Sequence, residues 1–244
     1  MDNFKEIQEI YDWFSNTYYS EKYKKFRDLL AIIENEKKLP HSIERFIILY
    51  SLPTTNPHVL LVGNNPSWFH ENNKKMIDDK NLAEMNLDEV AEKIPEINSY
   101  LEHEHVFAKK IRDIFDRINA KHILKNTAGL NRFWIQTGGT MDFLKEYSIK
   151  YSLQEEYDKL INLCENGTRK IVQILKPKFV LLFGNYAADT FSTRDYPRTF
   201  NKNETTFIKL THPSNREGGV EKTYEDLYYW IEENNDGYKY FLKG

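Results

Sequence analysis

Residues 176–191, KPKFVLLFGNYAADTF, decide how the rest of the chain is read. The Lys176-Pro177 pair stops the helical pattern before it. Phe179 to Phe183 are then apolar without alternation, as a strand covered on both faces requires. Gly184 permits a tight exit from that strand, and Asn185-Tyr186-Ala187-Ala188 opens a helix at once. Strand, glycine and helix in succession are the repeating unit of a parallel sheet with helices on its faces.

The same pattern recurs on either side. VLLVG (59–63) is a short apolar run closed by Gly63, and TTFIKLTHPSN (205–215) is a strand that runs into a turn. NRFWIQT (131–137) reads as one more strand, ending at Gly138-Gly139. Between them, HVFAKKIRDIFDRI (105–118) places apolar residues at 106, 107, 111, 114, 115 and 118, the stripe of an amphipathic helix, and a long helix is expected over about 153–175. Residues 3–49 also have helical spacing, with Pro40 dividing them. These elements predict an α/β fold: three layers, α/β/α, around a central four-stranded, mainly parallel sheet. The chain is expected to form one domain over 1–244, with a helical extension at 1–50 and an acidic surface insertion at 71–100.

Composition narrows the chemistry. The single cysteine, Cys164, rules out a disulfide framework within the chain, a four-cysteine zinc site or a cysteine-held iron–sulfur cluster. The acidic N-terminus, MDNFKEIQEIYDWF, lacks the basic start of a signal peptide, and no apolar run approaches a membrane span. A soluble protein of the reducing cytoplasm is expected, with no membrane partner. Net charge is −3, but unevenly spread. Residues 71–104 hold ten acids against four lysines, whereas 176–216 hold seven Lys/Arg against three acids. The basic stretch suits either an ordinary solvated face or a polyanion.

Ligands of such sheets bind beyond the C-terminal strand ends. Three strands end in polar turns there: Gly63-Asn64-Asn65-Pro66-Ser67, Gly184-Asn185-Tyr186 and Thr211-His212-Pro213-Ser214-Asn215. If the strands are neighbours, Asn65 and His212 should face one another. No G-x-G-x-x-G, G-x-x-x-x-G-K-[ST] or G-x-S-x-G follows any strand, so dinucleotide, nucleoside-triphosphate and serine-hydrolase sites have no support. The histidines form no convincing metal set with acids or the cysteine; neither metal nor cofactor is expected.

Taken in order, the G-x-N-P turn, the KPKFVLLFGNYAADTF strand and helix, and the final His-Pro-Ser turn resemble the uracil-DNA glycosylase superfamily. Asn in the first turn is similar to the single-strand-selective and mismatch-specific branches. The resemblance covers about 57–69 and 105–216 and is best at 164–215. It implies a glycosylase-like fold and a monofunctional DNA glycosylase that hydrolyses the N-glycosidic bond of uracil or a modified pyrimidine. Asn65 and His212 would be the catalytic pair. Asn65, an amide that cannot act as a base, would orient water. His212 would donate a hydrogen bond to the departing, anionic base. Gly63, Asn64, Trp68, Phe69, Asn131 and Gln136 would form the base pocket, with Phe69 or Trp68 stacking and Gln136 reading the base edge. Pro66, Ser67, Pro213, Ser214, Asn215 and Arg216 would touch DNA and help hold the nucleotide flipped out, with His70 as a lesser contact. No lysine lies in either turn to form a Schiff base on the sugar. The implied partner is DNA, met by a monomer.

Each of these residues also has a plainer reading. Asn65-Pro66 suits an N-cap and a first helical residue, His212 a loop histidine bound to backbone, Trp68 and Phe69 core positions, and Gln136 and Asn131 polar strand ends. A non-catalytic member of the same fold that binds nucleic acid or a protein therefore stands as the alternative function.

Overall fold

A computed structural model of the chain describes residues 2–37, 46–51, 57–64, 101, 106–135, 141–191, 199–202, 204–215 and 217–242. The chain divides into two compact units, where the sequence predicts one domain with an N-terminal extension. One unit is 1–48, 65–94 and 131–174, and the other is 49–64, 95–130 and 175–244. The acidic segment 71–100 lies outside the described residues.

The first unit gathers the helices α1 (Asp2–Tyr18), α2 (Lys24–Lys37), α4 (Met141–Lys150) and most of α5 (Gln154–Leu175) with the segment 131–135. Trp134 is its centre. Phe14 meets the indole edge-on at a centroid distance of 4.6 Å and Phe46 at 4.9 Å. Trp134 donates from Nε1 to the Asn131 carbonyl at 2.9 Å and to Thr168 Oγ1 at 3.1 Å. Gly167, in the middle of α5, exists for this ring: a Cβ there would lie 2.0 Å from the indole. Arg132 and Glu165 form a nearly buried ion pair, with Nε donating at 3.0 Å. Cys164 is fully buried among these helices, and burial pushes its thiol well up.

The second unit carries a sheet. Among the described residues its strands are β1 (Leu49–Ser51), β2 (Val59–Gly63), β3 (Thr127–Asn131), β4 (Phe179–Phe183), β5 (Thr199–Lys202) and β6 (Thr205–Leu210), in the order β1-β3-β2-β4-β6-β5. β2 and β4 are parallel, with Val62 opposite Leu182, and β4 and β6 are parallel, with Phe183 opposite Leu210. β1 pairs antiparallel with β3, and β5 antiparallel with β6. The class is α/β with a mixed sheet. Val59, Leu61, Phe179, Leu181, Phe183, Ile208 and Leu210 share one apolar cluster with residues of α3 (Val106–Arg117), α7 (Gly219–Glu233) and α8 (Asn235–Leu242). Leu60, Val62, Val180 and Leu182, which point the other way, are equally buried, so the unbroken apolar runs reflect cover on both faces.

Three expectations need correction. The sheet has six strands among the described residues, not four, because two short antiparallel strands flank the parallel centre. The strand expected at 131–137 is instead Thr127–Asn131, while Arg132 to Trp134 bend away and Ile135 makes an isolated antiparallel bridge with Phe46. The apolar bulk of Phe133 and Trp134 belongs to the helical unit, whereas the true strand, TAGLN, carries little β-forming character. Finally, the helical pattern extended to residue 49 breaks down in FIILYS. Ile47 N–H pairs there with the Trp134 carbonyl at 2.7 Å, and β1 begins at Leu49, as β-branched and aromatic residues in succession favour. Among the described residues, no helix is long and apolar enough to cross a membrane.

Candidate functional site

The three parallel strands end side by side, which brings their terminal turns together. Register places Gly63, Phe183 and Leu210 level, so the next residues, Asn64, Gly184 and Thr211, emerge at one edge. Gly184 sits at the middle of that edge, with φ of 83° as the chain passes from β4 into the short helix α6 (Gly184–Asp189). Two side chains from the neighbouring turns come close to its Cα. A Cβ built there would lie 3.5 Å from His212 Cβ, 3.9 Å from Asn64 Nδ2 and 4.0 Å from His212 Cδ2. The amide after β2 and the imidazole after β6 thus meet across a glycine.

His212 is held from several directions. Its Nδ1 accepts the Ser214 backbone N–H at 3.1 Å. With that nitrogen used as an acceptor, the proton of the neutral ring resides on Nε2, which is left as the donor. Burial, with the Lys110 ammonium on α3 nearby, pushes the imidazole down to about 4, so the ring is neutral at neutral pH. Phe107 lies beside it at a centroid distance of 5.7 Å and an angle of 34°, and Phe183 stands edge-on at 6.5 Å. The preceding residue is an anchor. Thr211 donates from both N and Oγ1 to Asp226 Oδ2, each at 2.8 Å, and its carbonyl accepts Thr223 Oγ1 at 2.7 Å. The turn closes through Asn215 N–H to the His212 carbonyl at 2.9 Å and Gly219 N–H to the Asn215 carbonyl at 3.1 Å. Pro213 is buried beneath, while Ser214 and Asn215 face solvent.

Of the residues singled out from sequence, Gly63, Asn64, His212, Pro213, Ser214 and Asn215 belong to this edge. Asn65, Pro66, Ser67, Trp68, Phe69, His70, Gln136 and Arg216 lie outside the described residues. Asn131 is 4% exposed in the helical unit, where its Nδ2 donates to the Ile47 carbonyl at 3.1 Å and its own carbonyl accepts Trp134 Nε1. That amide holds the chain rather than facing solvent. Phe107, Lys110 and Asp226 were not singled out. Phe107 was legible only as one apolar position of an amphipathic helix, and nothing in the sequence ties Asp226 to Thr211. Among the described residues, no group of three or more His, Cys, Asp or Glu is placed to hold a metal ion.

Chemically, the edge offers a neutral Nε2–H donor and a carboxamide with one donor and one acceptor function, next to aromatic rings. Compared with known proteins, the chain matches no family model and no curated protein.

Proposed function

We propose that the chain is a monofunctional DNA glycosylase of three-layer, uracil-DNA-glycosylase-like architecture, acting on uracil or a modified pyrimidine in DNA. The observation that carries the reading is that the Asn64 amide and the His212 imidazole, from two different strand ends, both come within 4 Å of where a Gly184 Cβ would stand. Cleavage of an N-glycosidic bond leaves an oxocarbenium-like sugar and an anionic base, and most is gained by stabilising the anion where its charge develops. A fixed, neutral Nε2–H suits that task. It lowers the energy of the departing base without giving up a proton, and its orientation is set in advance by Ser214. Asn65, one residue beyond Asn64, would orient the attacking water. The solvent-facing Ser214 and Asn215 would press on the DNA backbone while the nucleotide is flipped out.

The test is a panel of oligonucleotides carrying uracil and modified bases, incubated with the protein and then treated with alkali. Strand scission at one or more bases is expected, and His212→Ala and Asn65→Ala should each reduce it by on the order of 100-fold or more while binding of abasic DNA persists. No abasic product across a broad panel would retire the enzyme and leave the non-catalytic binding protein.

A further inference from the structure

The end of the parallel sheet opposite His212 carries a cavity that the proposed reaction does not use. Phe179 N–H donates to the His58 carbonyl at 3.0 Å, Thr206 N–H to the Lys178 carbonyl at 2.9 Å and Thr205 Oγ1 to the Pro177 carbonyl at 2.7 Å, which ties the segments ahead of β2 and β4 to the first residues of β4 and β6. The cavity there measures about 350 Å³, room enough for a small molecule, and is lined by Pro57, His58, Lys176, Pro177, Lys178 and Glu204. Its cations are not neutralised. Among the described residues neither Lys176 nor Lys178 forms an ion pair with Glu204 or with any other carboxylate. Lys178 is steadied by rings instead, its Nζ 5.0 Å from the Tyr240 centroid and 5.3 Å from that of Phe179, and His58 meets the same Tyr240 edge-on at 5.2 Å. Lys176 follows the last turn of α5 with φ of 45°, a left-handed position that glycine usually fills, and the residue before a proline is otherwise confined to extended backbone. Glycine would adopt this backbone without strain, so the lysine is kept at a cost in stability and adds a charge to the cavity.

We infer that this cavity binds a phosphomonoester, its phosphate held by Lys176, Lys178 and His58 and a hydroxyl of its alcohol part donating to Glu204. Two ammonium groups and an imidazole around one small space match a compact oxyanion, whose charge takes the place of the carboxylates that the lysines lack. Glu204 sets the limit. Its charge disfavours a second phosphate and suits a neutral, hydroxyl-bearing tail. The cavity lies at the other end of the strands from Asn64 and His212, so the inference does not depend on the glycosylase reading.

The experiment titrates the full, isotope-labelled chain with ribose 5-phosphate, with ribose, and with an oligothymidylate that does or does not carry a 5′-phosphate. Ribose 5-phosphate should move the backbone signals of His58, Lys176 and Lys178, and ribose should not. Lys176→Gly and Lys178→Met should each weaken binding about tenfold. The first should do so without lowering the denaturant midpoint, because glycine relieves the backbone. His58→Phe, which keeps a ring against Tyr240, should weaken binding as well. An oligothymidylate that binds through these residues only when 5′-phosphorylated supports the site and identifies the source of the phosphate as a strand end rather than a free sugar phosphate. Equal binding of the two oligothymidylates, ribose bound as tightly as its phosphate, unaltered affinity in Lys176→Gly, or no binding of any phosphorylated probe would each overturn the inference. None of these readouts measures base excision, so the glycosylase proposal and this one fail separately.

Discussion

Ser214 donates its backbone N–H to Nδ1 of His212 at 3.1 Å, and this one bond fixes which nitrogen of the ring can act as a donor. Because the acceptor is Nδ1, and because burial and Lys110 hold the imidazole down to about 4, the protein presents a neutral donor.

The pH dependence follows with a definite sign. The imidazole titrates lower when folded than its ordinary value of 6.5, so the unfolded chain takes up the proton first. Stability is complete above about 6.5 and is lost progressively as pH falls toward 4, by roughly 3 kcal/mol for this group alone. Denaturant midpoints between about pH 7 and 4.5 should fall, and His212→Gln should remove part of the slope. Activity should show no inflection from His212 between about pH 5.5 and 8, where an ordinary histidine would titrate. An inflection near 6.5 that vanishes in the variant would contradict the neutral-donor assignment.

Gly184→Ala probes the approach of Asn64 and His212 directly. The backbone there lies in the left-handed region, where a side chain costs about 1–2 kcal/mol, and the new methyl would stand between His212 and Asn64. The expected result is a loss of stability of about that size, read as a denaturant midpoint, together with a much larger loss of base binding. Base binding equal to that of the unsubstituted protein would show that this strand edge is not the ligand site.

The parallel centre was legible because its physics is local. VLLVG and FVLLF have no polar face, each ends at a glycine, and THPSN is a turn by composition, so three strand tips and their polar residues could be placed before any coordinates. What the pattern missed was set by distant partners. TAGLN becomes β3 beside Leu49–Ser51 although it has little strand character of its own, and FWI looks like a strand because the helical unit needs its bulk. Asn131 shows the same limit. Its residue type suggested a ligand contact, but its amide holds the Ile47 carbonyl. The contact of α3 with the His212 turn through Phe107 is not legible in a helix sequence, which reveals an apolar stripe and not which loop it meets.

Asp226 is expected to act at a distance through Thr211. Its Oδ2 accepts two hydrogen bonds that tie the residue before His212 to α7. Asp226→Ala leaves two donors unpaired and should lower stability by about 1–3 kcal/mol. On the glycosylase proposal, base excision should slow as His212 loses its fixed aim, with the loss in kcat and little change in KM. Asp226→Asn, which retains an acceptor oxygen, should recover much of both.

Gly167→Ala tests the helical unit by itself. Alanine normally stabilises a helix interior by about 1 kcal/mol relative to glycine, so an exposed glycine in α5 would gain from the change. Here the methyl would fall 2.0 Å from the Trp134 ring, which is fully buried and held through Nε1 by the Asn131 carbonyl and Thr168. The ring has little room to retreat, because Phe14 packs against it at 4.6 Å. Overpacking of this kind costs about 1–3 kcal/mol and outweighs the helical gain. Gly167→Ala should therefore lower the denaturant midpoint, and the pair Gly167→Ala with Trp134→Leu should lose less than the two single changes added together. A double mutant whose loss equals their sum would show that glycine stands at 167 for a reason other than the indole.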